Sequence, residues 1–92
     1  MAVLHIEHAI SDYATWKTAF DGFADARQRA GVRGHQIRRP VDNDRFVVID
    51  LDFDTREGAE RFLTFLTEQV WAAPDAAPAL RGTPQARVLE LA

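Results

Sequence analysis

With 92 residues, this chain has room for one domain around one core, and no stretch of it approaches the roughly 18 consecutive apolar residues that a membrane helix requires. A formal net charge of −3 with scattered arginines lacks the basic patch of a nucleic-acid binder, and the lack of cysteine removes disulfides, thiolate nucleophiles and thiolate metal sites. The opening Met1-Ala2-Val3-Leu4-His5 has neither the basic segment nor the long apolar run of a secretory signal, so a cytoplasmic setting is expected.

From Ala2 to Ile10, Leu4, Ile6 and His8 alternate with Val3, His5 and Glu7, the two-residue period of a strand with one oilier face. Ser11 and Asp12 then offer oxygens to the free amides of a helix start. Tyr13, Trp16, Phe20 and Phe23 follow at steps of three and four, which predicts a helix from Asp12 to about Ala30. Gly31 can take the left-handed conformation that closes it, and Val32 to Arg39 can run extended until Pro40 removes an amide donor. The polar turn Val41-Asp42-Asn43-Asp44 joins this strand to the next, Arg45 to Phe53, as an antiparallel hairpin. Asp54 and Glu57 have the spacing of a capping box. Beyond them Ala59, Phe62, Leu63, Leu66 and Val70 make the buried stripe of a second helix from Thr55 to about Val70, with Phe65 at its edge. Trp71 to Pro84 carries three prolines and reads as a long loop, and Gln85 to Leu91 closes the chain as a strand. No internal repeat interrupts this order.

Strand, helix, strand, strand, helix, strand predicts an α+β, ferredoxin-like βαββαβ subunit, a single domain over 1–92 with both helices on one face of an antiparallel sheet. In the third strand Val47, Ile49, Leu51 and Phe53 form a wholly apolar row, whereas Phe46, Val48, Asp50 and Asp52 form a mixed one. The sheet face away from the helices should therefore carry Val3, Phe46 and Val48 beside His5, Glu7, Gln36, Arg38, Asp50 and Asp52. Such a mixture predicts that a second copy covers it, giving a homodimer through the sheet face. Buried carboxylates need partners, and Arg38 or Arg87 can serve Asp50, Glu7 or Asp52.

His5 and His8 stand three apart, and on a strand that spacing sends them to opposite faces, so they cannot share an ion; no metal site or cofactor is expected. His5 with Asp50 is the sharper pairing. Both fall on the open face, and a carboxylate can fix an imidazole tautomer and raise its basicity, which would make His5 a general base; the alternative is an interface histidine held by an aspartate. Glu7, Arg38, Phe46, Val48 and Asp52 would surround a bound molecule there. Trp16, Phe20, Phe23, Phe62 and Phe65 read first as core. Trp71, where the second helix gives way to the proline-rich segment, fits a cavity mouth as well as it fits packing. Only one of Arg38 and Arg39 can face inward, and Arg39 is assigned to solvent.

The order of elements, the size and the Asp12-Tyr13-x-x-Trp16-Lys17 opening of the first helix resemble the dimeric α/β-barrel proteins, in particular the antibiotic biosynthesis monooxygenase-like group. The resemblance covers nearly the whole chain. It implies a ferredoxin-like subunit that dimerises through its sheet, with a small-molecule cavity between sheet and helices. Members that oxidise polycyclic aromatic substrates without metal or flavin use Asn, Trp and Tyr side chains, and here the single Asn is Asn43 and the single Tyr is Tyr13. The expected function is a cofactor-independent monooxygenase or cyclase acting on an aromatic or polyketide-like molecule, with a non-catalytic ligand-binding or structural homodimer as the alternative.

Overall fold

The alternation of oily and polar side chains in the first strand dictates which side of the sheet is covered. In the computed structural model, which describes residues 1–92, β1 (Ala2–Ile10) buries Ala2, Leu4, Ile6, His8 and Ile10 and leaves the intervening side chains half-exposed. The chain continues through α1 (Tyr13–Gly22), α2 (Ala24–Ala30), β2 (Val32–Arg38), β3 (Phe46–Phe53), α3 (Arg56–Phe65), a π-helical turn (Leu66–Val70) and β4 (Leu80–Glu90). The sheet order is β2-β3-β1-β4 and every neighbouring pair is antiparallel. This is the ferredoxin-like arrangement expected from the element order.

The core lies between the sheet and the helices. Val47, Ile49, Leu51 and Phe53 of β3 join the even residues of β1, and Trp16, Ala59 and Phe62 close over them. The Phe53 and Phe62 rings meet at 5.9 Å between centroids. No helix is long and apolar enough to cross a membrane.

Four local expectations are corrected. The first helix is two helices: Phe23, at φ −99° and ψ 13°, leaves the helical region just after Gly22, and its amide reaches back only three residues to the Phe20 carbonyl at 3.1 Å. The cap of α3 is Thr55, whose hydroxyl accepts from the Gly58 amide at 3.0 Å; Asp54 instead accepts from Arg33 at 2.7 Å. The second helix does not stay α-helical to Val70 but widens over its last turn, where the Trp71 amide bonds the Leu66 carbonyl at 2.7 Å. The last strand begins at Leu80, five residues before Gln85. Arg81 faces Ala9 and Gln85 faces Glu7, so four residues of β4 span two of β1, and the excess bulges out at Gly82 to Pro84. Gly82 takes a φ of 73°, and Pro84 is tolerated because a bulge spares it the ladder bond. As expected, Gly31 closes α2 with a φ of 92°, and the Asp12 carboxylate caps α1 by accepting from the Thr15 amide at 2.7 Å.

Candidate small-molecule site

The sheet divides the polar side chains into two groups. On the open face, His5 lies opposite Asp50 in the β1–β3 register, and His5 Nδ1 sits 2.7 Å from Asp50 Oδ1. Arg38 donates to the other Asp50 oxygen at 3.2 Å and also to Gln36, while His5 Nε2 lies 3.4 Å from Glu7. The expected pair is therefore formed, inside a wider chain of charges, with Asp52, Val48 and Phe46 half-exposed along the same strand. Hydrogen bonding to Asp50 outweighs the loss of hydration and raises the His5 pKa above 6.5. With a carboxylate beside each ring nitrogen, the imidazolium is stabilised relative to that of a free histidine. In the single subunit this face has only a shallow depression, bordered by His5, Glu7, Gln85, Arg87 and Leu89.

The cavity is on the other side. Between the sheet and the helices lies a space of about 80 Å³, partly open to solvent, and apart from His8 and Arg27 its lining is hydrophobic. One wall is an aromatic pair on α1, Trp16 stacked on Phe20 with centroids 5.0 Å apart, and Tyr13, outside the lining, tilts against Trp16 at 5.8 Å. Phe62 and Phe65 of α3 stack at 5.6 Å and add another part of the lining. Trp71 completes it together with Ala76, Ala77 and Ala79, so of the residues singled out in the sequence as a binding set, Trp71 lines this space and the other seven lie across the sheet from it. The π-helical turn is what carries the chain around to this position, since inserting one residue into a helical turn rotates everything after it. Arg39 is exposed, as expected, with its guanidinium 4.3 Å from the centre of the Tyr13 ring.

Two functional candidates escaped the sequence reading. His8 is only 6% exposed and meets Trp16 edge-on at 6.5 Å. Its Nδ1 donates to the Ala9 carbonyl at 3.0 Å, which fixes the tautomer and leaves the Nε2 lone pair free. No fully buried side-chain nitrogen or oxygen lacks a partner, so the unpartnered Nε2 is not sealed off, and His8 is part of the cavity lining. Burial lowers the His8 pKa below 6.5 and keeps the ring neutral. Arg27 is 8% exposed; its guanidinium lies 3.7 Å from the centre of the Phe20 ring and donates to the Phe20 carbonyl. Each had a visible signal. His8 sits in the oily row of β1, and Arg27 falls seven residues after Phe20 and four after Phe23, on the same helical stripe.

Over its whole length the chain superposes on a Deinococcus radiodurans protein provisionally named an antibiotic biosynthesis monooxygenase, with a TM-score of 0.63, 13% identity and 93% of that chain covered. The chain shares with it the ferredoxin-like fold, a four-stranded antiparallel sheet with the helices on one face. A dimeric ferredoxin-like protein from an uncultured marine organism shares this fold at a TM-score of 0.58 and 10% identity, over 99% of this chain and 96% of the other. So does an uncharacterised NIPSNAP domain protein from Burkholderia xenovorans, at 0.56 and 16%, over 100% and 95%. No family model and no curated protein matches the sequence. At these identities the likeness is one of fold alone, and it is the geometry of the chain's own residues that must carry any function.

Proposed function

We propose that this chain is a homodimeric small-molecule enzyme that takes an aromatic, largely apolar ligand between sheet and helices and removes a proton from it with His8. Proton removal is the opening step common to cofactor-independent oxygenation and to cyclisation of aromatic or polyketide-like compounds. The reading rests on one observation: an imidazole that lines an otherwise oily cavity, with its Nδ1 tied to a backbone carbonyl and its Nε2 without a partner. In such a place a base is not saturated by water, and a proton taken up is readily returned, because burial disfavours the imidazolium. His5 is less suited to that task, since carboxylates beside both nitrogens engage the lone pair a base would need and raise its pKa. Its cluster better serves the closure of the open face by a second copy.

The cavity has about half the volume of the roughly 150 Å³ space that admits benzene in an engineered protein, so ligand entry requires a wall to yield. The segment from Trp71 to Ala79 is that wall. Its internal backbone bonds are short-range turns, Ala73 to Val70 and Ala76 and Ala77 to Ala73, at 3.0 to 3.2 Å.

The test is proton exchange. In deuterated water, the ring hydrogens of a resorcinol-type phenol should exchange faster with the protein present, with a rate that rises through a midpoint below pH 6.5 and is lost in His8→Phe. Saturable binding, read from the fluorescence of Trp16 and Trp71, without accelerated exchange would replace this reading with that of a non-catalytic binder.

A further inference from the structure

Every arginine and lysine of this chain that makes an ion pair does so at the surface, but its one buried arginine has no carboxylate partner. The carboxylate that acts on Arg27 through space, Asp21, has an oxygen 2.7 Å from the Lys17 ammonium instead. Arg27 spends one nitrogen on the Phe20 carbonyl at the broken end of α1, and the rest of its five-donor fork is unbonded. Those donors are not sealed in, because no fully buried side-chain nitrogen lacks a partner, and the space that Arg27 lines is the cavity. Capping a carbonyl does not account for this arrangement. A neutral amide would serve as well, whereas a desolvated positive charge is costly unless an anion answers it.

Arg27 and His8 bracket the aromatic pair, with Arg27 on Phe20 and His8 against the edge of Trp16. The cavity therefore has a cationic donor at one end, a neutral acceptor at the other and stacked rings between. Resting on the cavity reading above, we propose that its ligand is an aromatic acid: a flat ring lying along Trp16 and Phe20, with an anionic oxygen, carboxylate or phenolate, accepting from the free N–H groups of Arg27. Its opposite end presents the hydrogen that His8 accepts. A guanidinium suits this because it binds oxyanions through its planar fork and stacks on an aromatic face at the same time.

Paired probes test it. Tryptophan fluorescence of the full chain is followed against benzoate and 2-naphthoate and against their neutral, isosteric amides. The acids should bind at least about tenfold more tightly than the amides, a preference kept in Arg27→Lys and abolished in Arg27→Met. A nitrophenol, whose anion is yellow, should ionise at a lower pH when bound than when free, a readout that a purely structural arginine would not move and that needs only the unaltered protein should Arg27→Met fail to fold. Equal affinity for acid and amide, or a bound nitrophenol that ionises later than the free one, overturns the proposal and leaves Arg27 as the cap of α1. Amides that bind while acids do not would sink the acid specificity but keep the cavity. Failure of both to bind would remove the cavity reading as well.

Discussion

The two histidines of β1 are three residues apart and electrostatically opposite, and each makes a separate claim about pH. His8 has a folded pKa below 6.5, so the unfolded chain binds its proton first on acidification; its contribution to stability is complete above pH 6.5 and declines as pH falls toward the folded value. His5 has a folded pKa above 6.5, so its contribution is complete below 6.5 and is lost as pH rises through the folded value. Urea denaturation across pH 5 to 8 separates them. His8→Phe should flatten the acid limb and His5→Asn the alkaline limb, and if either variant leaves its limb unchanged, the corresponding geometry is wrong. Residue by residue, the sequence revealed His5 and Asp50 because register follows from strand alternation, and their cross-strand pairing is what the fold delivers. It did not reveal His8 and Arg27, because a polar residue in an apolar row is indistinguishable, by period alone, from a lapse in the pattern.

At the scale of elements, what alternation and capping residues specify was legible, the first three strands, the Asp12 cap and the Gly31 stop among them, and what packing decides was not. Gly82 and Pro84 hid the first residues of β4 because a bulge lets a strand run through them, and the break at Phe23 and the π-helical turn depend on what the helices pack against. The α3 cap is a case where two adjacent residues, Asp54 and Thr55, could each have served. Thr55 won because Asp54 is drawn to Arg33 at the end of the neighbouring strand. Thr55→Ala should therefore cost about 1 kcal/mol in unfolding free energy, the usual loss of a cap, whereas Asp54→Ala should leave stability nearly unchanged because its ion pair is solvent-exposed. A larger loss at Asp54 would mean that the capping box is the working one. Gly31 carries a similar test of backbone conformation. With φ at 92° and open space where a Cβ would stand, Gly31→Ala should destabilise by about 1 kcal/mol through the left-handed backbone alone.

For the whole molecule, the open face poses the largest unanswered charge problem. It presents Val3, Phe46, Val48 and Leu89, the last 44% exposed, among Glu7, Asp50 and Asp52 on one side of the balance and His5, Arg38 and Arg87 on the other. Protonated His5 adds to this face a cation that its neutral form lacks, so a second copy covers the carboxylates at lower cost when His5 is charged. Association through this face should thus be tightest below pH 6.5 and weaken as pH rises through the elevated His5 pKa. Light scattering should find a dimer whose thermal midpoint climbs with protein concentration, since only the folded form associates. Val48→Asp places a third carboxylate in line with Asp50 and Asp52, opposite Glu7, and should yield a folded monomer with unchanged helical and strand content. If the unaltered chain is a monomer at every concentration and pH, the half-buried row of β3 has no partner, and the His5 cluster must be explained as an ordinary solvated network. Because cavity and sheet face lie on opposite sides of β1, that outcome would leave His8 and Arg27 untouched, and the monomeric variant should still discriminate aromatic acids from amides.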